Sequence, residues 1–256
     1  MRVQALGCFG GEAYGCQLTC LLVDDRLLLD AGSVTAGLSL EAQAAIDHIL
    51  ITHAHISHVV GLAYLADNLF GVRARPLEVW SIPPVIDQLK AHLFNGTLWP
   101  DFSVLPSPAR PTVTFHELVA GRPHQIGQYE VTAVGVHHTV EAAGYAISDG
   151  ASSILYQGDS GPTTELWRLA NRMAKLDAVI VETSFPNRFG DYAIRTGHLT
   201  PELLRTELIQ LKVQASVYAQ HMKPQYFSEI VGELAALSDP PVLPLDQGKT
   251  YSFGAP

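Results

Sequence analysis

The chain has 256 residues, 47% hydrophobic and 16% charged, with a formal net charge of −9 at pH 7. That balance describes one folded domain with a large core. It excludes the broad basic surface that tracks a phosphate backbone, so nucleic acid is not an expected partner. No apolar run approaches the roughly 20 residues needed to span a bilayer, so no membrane partner is expected. Cys8, Cys16 and Cys20 crowd near the start, an odd number with no signal peptide ahead of them. They read as free thiols packed like small hydrophobes, in a reduced, cytoplasmic protein. The apolar content is compatible with a homodimer, though no interface is visible.

Val3 to Leu6, Leu18 to Val23 and Leu27 to Asp30 read as short strands, with Asp24-Asp25-Arg26 as a hairpin turn between the last two. Asp47 to Thr52 is a further strand. Val59, Leu62, Ala63, Leu65, Ala66, Leu69 and Phe70 then follow at helical spacing. Leu77 to Ile82 reads as a buried strand, and Pro83-Pro84 opens a helix that runs to Phe94. Trp99 to Pro111, broken by four prolines, reads as a loop. Beyond it, strands are expected at Tyr129 to His137, Gly144 to Ser148, Ser153 to Gln157, Ala178 to Val181 and Ala215 to Ala219. Helices are expected from Pro162, over Pro201 to Leu211 and over Gln225 to Leu237. Each half begins with strands and continues with strand–helix alternation, which suits two sheets packed face to face with helices outside.

The densest chemical signal is Thr52-His53-Ala54-His55-Ile56-Ser57-His58, three histidines in six positions directly after an apolar strand. Neutral imidazole is a favoured ligand of zinc and related ions, so this segment reads as a metal site. Other candidates also end strands, where side chains can converge. They are one of His137 and His138 (neighbours on a strand point to opposite sides), Asp159 after Gly158, and His221. Together they could form two ligand sets bridged by Asp159, and a two-metal centre clamps the oxygens of an in-line displacement. His198 precedes the helix start Thr200-Pro201 and could pair with Glu182. A carboxylate on one ring nitrogen favours the protonated imidazole, which suits a general acid.

His53-x-His55-x-x-His58, with Asp30-Ala31-Gly32 upstream, resembles the metallo-β-lactamase superfamily. The resemblance runs over nearly the whole chain and implies an α/β fold, an αβ/βα four-layer sandwich in one domain over 1–256. It also implies a metal set of His53, His55, His58, His138, Asp159 and His221. His138 is preferred to His137 because His138 through Gly144-Tyr145 fits a His-x5-Gly-Tyr pattern of phosphodiesterase branches. Phe94-Asn95-Gly96-Thr97-Leu98-Trp99, Gly197-His198-Leu199-Thr200-Pro201 and His221-Met222-Lys223-Pro224 resemble segments of class II cyclic-nucleotide phosphodiesterases.

That branch implies a zinc-dependent enzyme, with one or two ions and manganese or iron as alternatives, opening cyclic AMP or cyclic GMP to the 5′ nucleotide. His198 would be the acid, held by Glu182, with Asp159 at the reacting centre. Phe94, Asn95 and Trp99 are candidates for holding the base or shaping the pocket. Ser57 departs from the superfamily pattern, which has Asp there; a hydroxyl removes a negative ligand and predicts a weaker second metal site. Two rivals are a tRNA 3′-processing phosphodiesterase, for which no basic insertion is present, and a nucleotide- or partner-binding protein with a weakened site.

Overall fold

The computed structural model describes residues 1–254. The chain opens with β1 (Arg2–Gly7), β2 (Cys20–Val23) and β3 (Leu27–Leu29) as an antiparallel ribbon. Asp24 and Asp25 take left-handed φ values of 45° and 61° in the turn between β2 and β3, a conformation that Asp tolerates better than most residues. Two short helices, α1 (Val34–Gly37) and α2 (Leu40–Ala44), lead to β4 (His48–Leu50). Next come α3 (Ile56–Leu69), β5 (Leu77–Ser81) and α4 (Pro83–Gln88), which continues as a π-helical turn over Leu89–Leu93. The proline-rich segment holds a two-residue ladder, β6 (Pro106–Ser107) and β7 (Arg110–Pro111), and β8 (Val113–Glu117) follows.

The second half repeats the plan. β9 (Pro123–Ile126), β10 (Tyr129–Gly135), β11 (Ala143–Ser148) and β12 (Ser153–Tyr156) are antiparallel neighbours. Then α5 (Glu165–Ala170), β13 (Ala178–Glu182), α6 (Gly190–Arg195), α7 (Pro201–Leu208), β14 (Ser216–Gln220), α8 (Phe227–Leu234) and β15 (Val242–Pro244) alternate. The last strand, β16 (Thr250–Ser252), returns to pair with β1.

Two seven-stranded sheets result, ordered β16-β1-β2-β3-β4-β5-β8 and β15-β14-β13-β12-β11-β10-β9. One buried cluster joins their facing sides, from Leu28, Ile49 and Val79 to Val131, Tyr145 and Tyr156. A second cluster lies between the outer face of the second sheet and its helices, with Trp167, Leu204 and Ile230. The α/β four-layer sandwich expected from the sequence is what forms. In α3, His58, Val59, Leu62, Ala63, Leu65, Ala66 and Leu69 form the buried face. A Cβ on Gly61 would lie 2.4 Å from the Ala31 carbonyl, so only glycine lets this helix approach the β3 exit.

Some element boundaries differ from the sequence reading. The helix expected from Pro162 begins at Glu165, since Thr163 gives its N–H to Glu207 Oε2 at 2.8 Å instead of entering the helix. The helices expected to reach Leu211 and Leu237 end at Leu208 and Leu234.

Half of each sheet is parallel: β3, β4, β5 and β8 in one, β12 to β15 in the other. Parallel strands end at the same edge, so Asp30 after β3, His53 after β4, Asp159 after β12, Glu182 at the end of β13 and His221 after β14 meet there.

Candidate metal centre

Three histidines, His53, His55 and His138, place ligand atoms within 4.8 Å of one another. His53 is buried at the exit of β4, and His55 sits at the N-cap position of α3. His137 is exposed, and only its backbone carbonyl is engaged, by the Gly161 N–H at 2.8 Å. His138, not His137, joins the cluster, from the loop that follows β10. His138 Nε2 lies 3.1 Å from His55 Nδ1. A second group is formed by His58, His221 and Asp159. His58 Nε2 stands 3.2 Å from His221 Nε2 and 3.2 Å from Asp159 Oδ1, while His221 Nε2 is 3.2 Å from Asp159 Oδ2. Asp159 Oδ2 also lies 3.7 Å from His53 Nε2, so this carboxylate stands between the two groups.

The hydrogen bonds behind the rings fix which nitrogen carries the proton. His138 Nδ1–H donates to the Gly197 carbonyl at 2.8 Å, and His58 Nδ1–H donates to Asp30 Oδ2 at 2.8 Å. The Thr52 hydroxyl gives its proton to Asp30 at 2.9 Å and accepts from His53 Nδ1 at 3.0 Å. The Ser184 hydroxyl gives its proton to Glu182 Oε2 at 2.9 Å and accepts from His221 Nδ1, also at 2.9 Å. His53, His138 and His221 therefore turn an Nε2 lone pair inward, and His58 Nε2 faces the same space. His58 Nε2 and His221 Nε2 face each other at 3.2 Å, a spacing that holds together only with a proton or a cation between them. Buried His53 Nε2 and Asp159 Oδ1 have no hydrogen-bond partner among the described residues, although buried polar atoms are normally paired. The donor set of imidazoles and one carboxylate fits a divalent ion of the zinc, manganese or iron type.

The electrostatics agree. Burial holds His53 and His221 well below the ordinary imidazole range and takes His138 down to about 4, leaving neutral, ligand-ready rings. His58 moves the other way, to about 10, because Asp159 and Asp30 flanking it outweigh its burial. Asp159 is held well below the carboxylate range by His221 and His58 despite its own burial. The centre attracts positive charge.

Backbone constraints set this geometry. His221 has φ 61°, its N–H bonded to the Cys8 carbonyl at 2.7 Å. Gly158, at φ 68°, lets the chain turn into Asp159, and a Cβ there would lie 2.7 Å from Thr52 Cγ2. Ser57 occupies the second position of α3, half-buried, and its hydroxyl makes no hydrogen bond among the described residues.

His198 lies beside the cluster, its ring centroid 5.1 Å from that of His138 and 5.7 Å from that of His221. Its Nδ1 bonds Glu182 Oε1 at 2.8 Å. Burial alone would depress its proton affinity, but the Glu182 charge and hydrogen bond raise it above the ordinary value. Lys223, two residues after His221, gives its ammonium to the Gly10 carbonyl at 2.5 Å and pairs with no carboxylate among the described residues.

Next to His55 opens a cleft of about 310 Å3 walled by Ile56, Val59, Leu89, Leu93 and Leu98. Phe94, Asn95 and Trp99, candidates for holding a substrate base, have other places. Phe94 is buried against Phe102 and Phe115. Asn95 Oδ1 accepts from the Thr97 and Leu98 N–H groups, closing a turn. Trp99 packs edge-on against Tyr64 at 5.2 Å. None of the three is among the residues lining the cleft; Leu98, within the same segment, is.

Sequence reasoning assigned no role to Asp30, Thr52 or Ser184. Asp30 is fully buried and holds Thr52, His58 and Tyr156 together (Tyr156 OH to Oδ2, 2.7 Å). The available signal was a lone carboxylate ending the apolar run Leu27 to Leu29.

Fold and ligand cluster together define a class, the metal-dependent hydrolases built on a four-layer sandwich. Residues 25–222 match the family model of the beta-lactamase superfamily domain, and the chain belongs to that family. It resembles the "Probable 3',5'-cyclic-nucleotide phosphodiesterase" of Yersinia pestis, at 27% identity covering 88% of this chain and 79% of that protein. A "Ribonuclease Z" of Archaeoglobus fulgidus is 24% identical over 68% of this chain and 71% of its own length. Among solved structures, unliganded yeast PDE1 superposes with a TM-score of 0.85 over 99% of both chains at 19% identity, a likeness of fold. No helix among the described residues is long and apolar enough to cross a membrane.

Proposed function

We propose that the protein is a metal-dependent phosphodiesterase that opens the 3′,5′-cyclic phosphodiester of cyclic AMP or cyclic GMP to the 5′ nucleotide. The observation that carries this reading is His198, an imidazole held by the Glu182 carboxylate and standing beside His138, Asp159 and His221, where a departing oxygen needs its proton. A divalent ion held by His53, His55, His138, Asp159, His58 and His221 supplies Lewis-acid polarisation of the phosphoryl group and lowers the pKa of water. His198 keeps its proton on the nitrogen remote from Glu182 and delivers it to the ribose 3′ oxygen. Glu182 holds that ring by Nδ1 and remains unprotonated through the transfer. Lys223 supplies a positive charge near an anionic substrate. The apolar cleft beside His55 takes the nucleoside and excludes water from it.

Similarity to the Yersinia protein supports the reading. Similarity to ribonuclease Z supports a second one, an RNA-processing phosphodiesterase, against which stands the net charge of −9. A binding-only protein would not need the full ligand set with its oriented tautomers. The test is hydrolysis of cyclic AMP, cyclic GMP, bis(4-nitrophenyl) phosphate and a 3′-extended tRNA by metal-loaded protein, with His55→Ala as control. Turnover of a cyclic nucleotide that the control lacks supports the proposal. Turnover of tRNA alone transfers the assignment to RNA processing, and metal binding without turnover leaves the binding protein.

A further inference from the structure

The cleft beside His55 is walled by aliphatic side chains, and two polar side chains other than His55 reach it, Gln88 and His92. His92 is exposed, while Gln88 is half-buried at the end of α4. The Gln88 amide makes no hydrogen bond to any described residue, although its neighbours Leu89 and Leu93 are buried. Gln88 also borders a second hollow, shared with His138, Thr139 and Val140, so it stands where the cleft meets the ligand loop. Leu89, His92 and Leu93 belong to a π-helical turn and all line the cleft; such turns are rare and gather at functional sites.

We infer that Gln88 reads the hydrogen-bonding edge of a purine base seated between Ile56, Val59, Leu89 and Leu93. The inference rests on the proposed phosphodiesterase reading for the position of the phosphoryl group, and adds the recognition of the base. An aliphatic slot of about 310 Å3 lies at the small end of ligand cavities, roughly 300–1,000 Å3, which suits one nucleoside and not a run of nucleotides. Its walls offer apolar contact to the two faces of a flat ring. A free carboxamide presents a donor and an acceptor side by side, which complements the N6 and N7 atoms of adenine. Occupation by such an edge would give partners to an amide that makes no hydrogen bond to the described residues.

The test is equilibrium binding of cyclic AMP, and of the 3′,5′-cyclic phosphate of unsubstituted purine riboside, to metal-loaded protein. Gln88→Leu and Gln88→Glu serve as variants, each first checked for folding and metal content. Wild type should prefer cyclic AMP by about tenfold, Gln88→Leu should bring the ratio near one, and Gln88→Glu should fall between them. A preference that survives in folded Gln88→Leu, or no binding of either ligand to wild type, overturns the inference. Gln88-dependent preference without hydrolysis supports it and counts against the phosphodiesterase reading alone.

Discussion

Gly10→Ala tests whether backbone packing, rather than the ligand list, sets the second ligand group. A Cβ at Gly10 would lie 2.4 Å from the His221 carbonyl oxygen and 2.7 Å from its ring atoms Cε1 and Nδ1. The worst contact is about 1 Å short of the 3.4 Å at which ordinary contact begins. His221 cannot easily yield: its N–H is tied to the Cys8 carbonyl at 2.7 Å and its Nδ1 to Ser184 Oγ at 2.9 Å. Gly10 is itself tied, by its N–H, to the Met222 carbonyl at 3.0 Å. Overpacking of this kind costs about 1–3 kcal/mol, which lowers Tm by roughly 2–12 °C in a domain of this size. A ligand displaced by about 1 Å costs on the order of 100-fold in turnover. The assay is metal content by mass spectrometry, Tm and turnover, with Gly11→Ala as neighbour control, since its Cβ would meet only Pro224 Cδ at 3.3 Å. A Gly10→Ala protein with wild-type metal content, Tm and turnover would refute the reasoning.

Asp30→Asn should weaken metal affinity roughly 10- to 100-fold, as measured by competition with a chromogenic chelator, because it alters the anchor of His58 and Thr52 and leaves every ligand in place. Glu182→Gln removes the charge that raises the His198 proton affinity, so the alkaline fall in the pH–rate profile should begin at lower pH. In the wild type that pairing stabilises the fold fully below the ordinary imidazole value of about 6.5, and its contribution fades as pH rises through the raised value. Iodoacetamide at pH 8 should leave Cys8 and Cys20 unmodified in the folded protein and label them in denaturant. Burial pushes the Cys8 thiol up to about 12 and the Cys20 thiol above the ordinary range; mass spectrometry reads the difference. Chelation should lower Tm, and re-addition of a divalent ion should restore it in proportion to the logarithm of free metal.

The candidate ligands were legible because they cluster just beyond apolar strands, at the exits of β4, β10, β12 and β14, and a short apolar run followed by such residues is visible in a sequence. Histidines at i, i+2 and i+5 after Ile49-Leu50-Ile51 needed only the strand to be right. His198 with Glu182 was legible from chemistry, a histidine before a helix start and a carboxylate ending an apolar run. The residues behind the ligands were not. Thr52 and Ser184 act through single hydroxyls whose importance depends on which nitrogen faces them across the fold. The short strands β8 and β16 carry Thr, His, Glu and Ser, and pairing with β5 and β1 makes them strands without a periodic pattern. Phe94, Asn95 and Trp99 stand apart from the ligands: of residues 94–99 it is Leu98 that lines the cleft. Scarce residues in a loop invited a ligand-binding role, whereas the segment uses them to close a turn and pack its own underside.

Asp30 and Glu182 apply one device to two ends. Each is a fully buried carboxylate that accepts from the Nδ1 of a histidine at 2.8 Å, His58 in one case and His198 in the other. What differs is the environment across the ring. The far nitrogen of His58 faces His221 Nε2 and Asp159 Oδ1, both at 3.2 Å, among side chains that are almost fully buried. His198 keeps a margin of exposure, about 11% of its side chain, and stands a ring's width from the cluster. There Glu182 stabilises a proton on the ring. Asp159, brought to the cluster by Gly158 after β12, is the carboxylate that His58 and His221 both face, and on the proposed function it is the point where the two ligand groups meet.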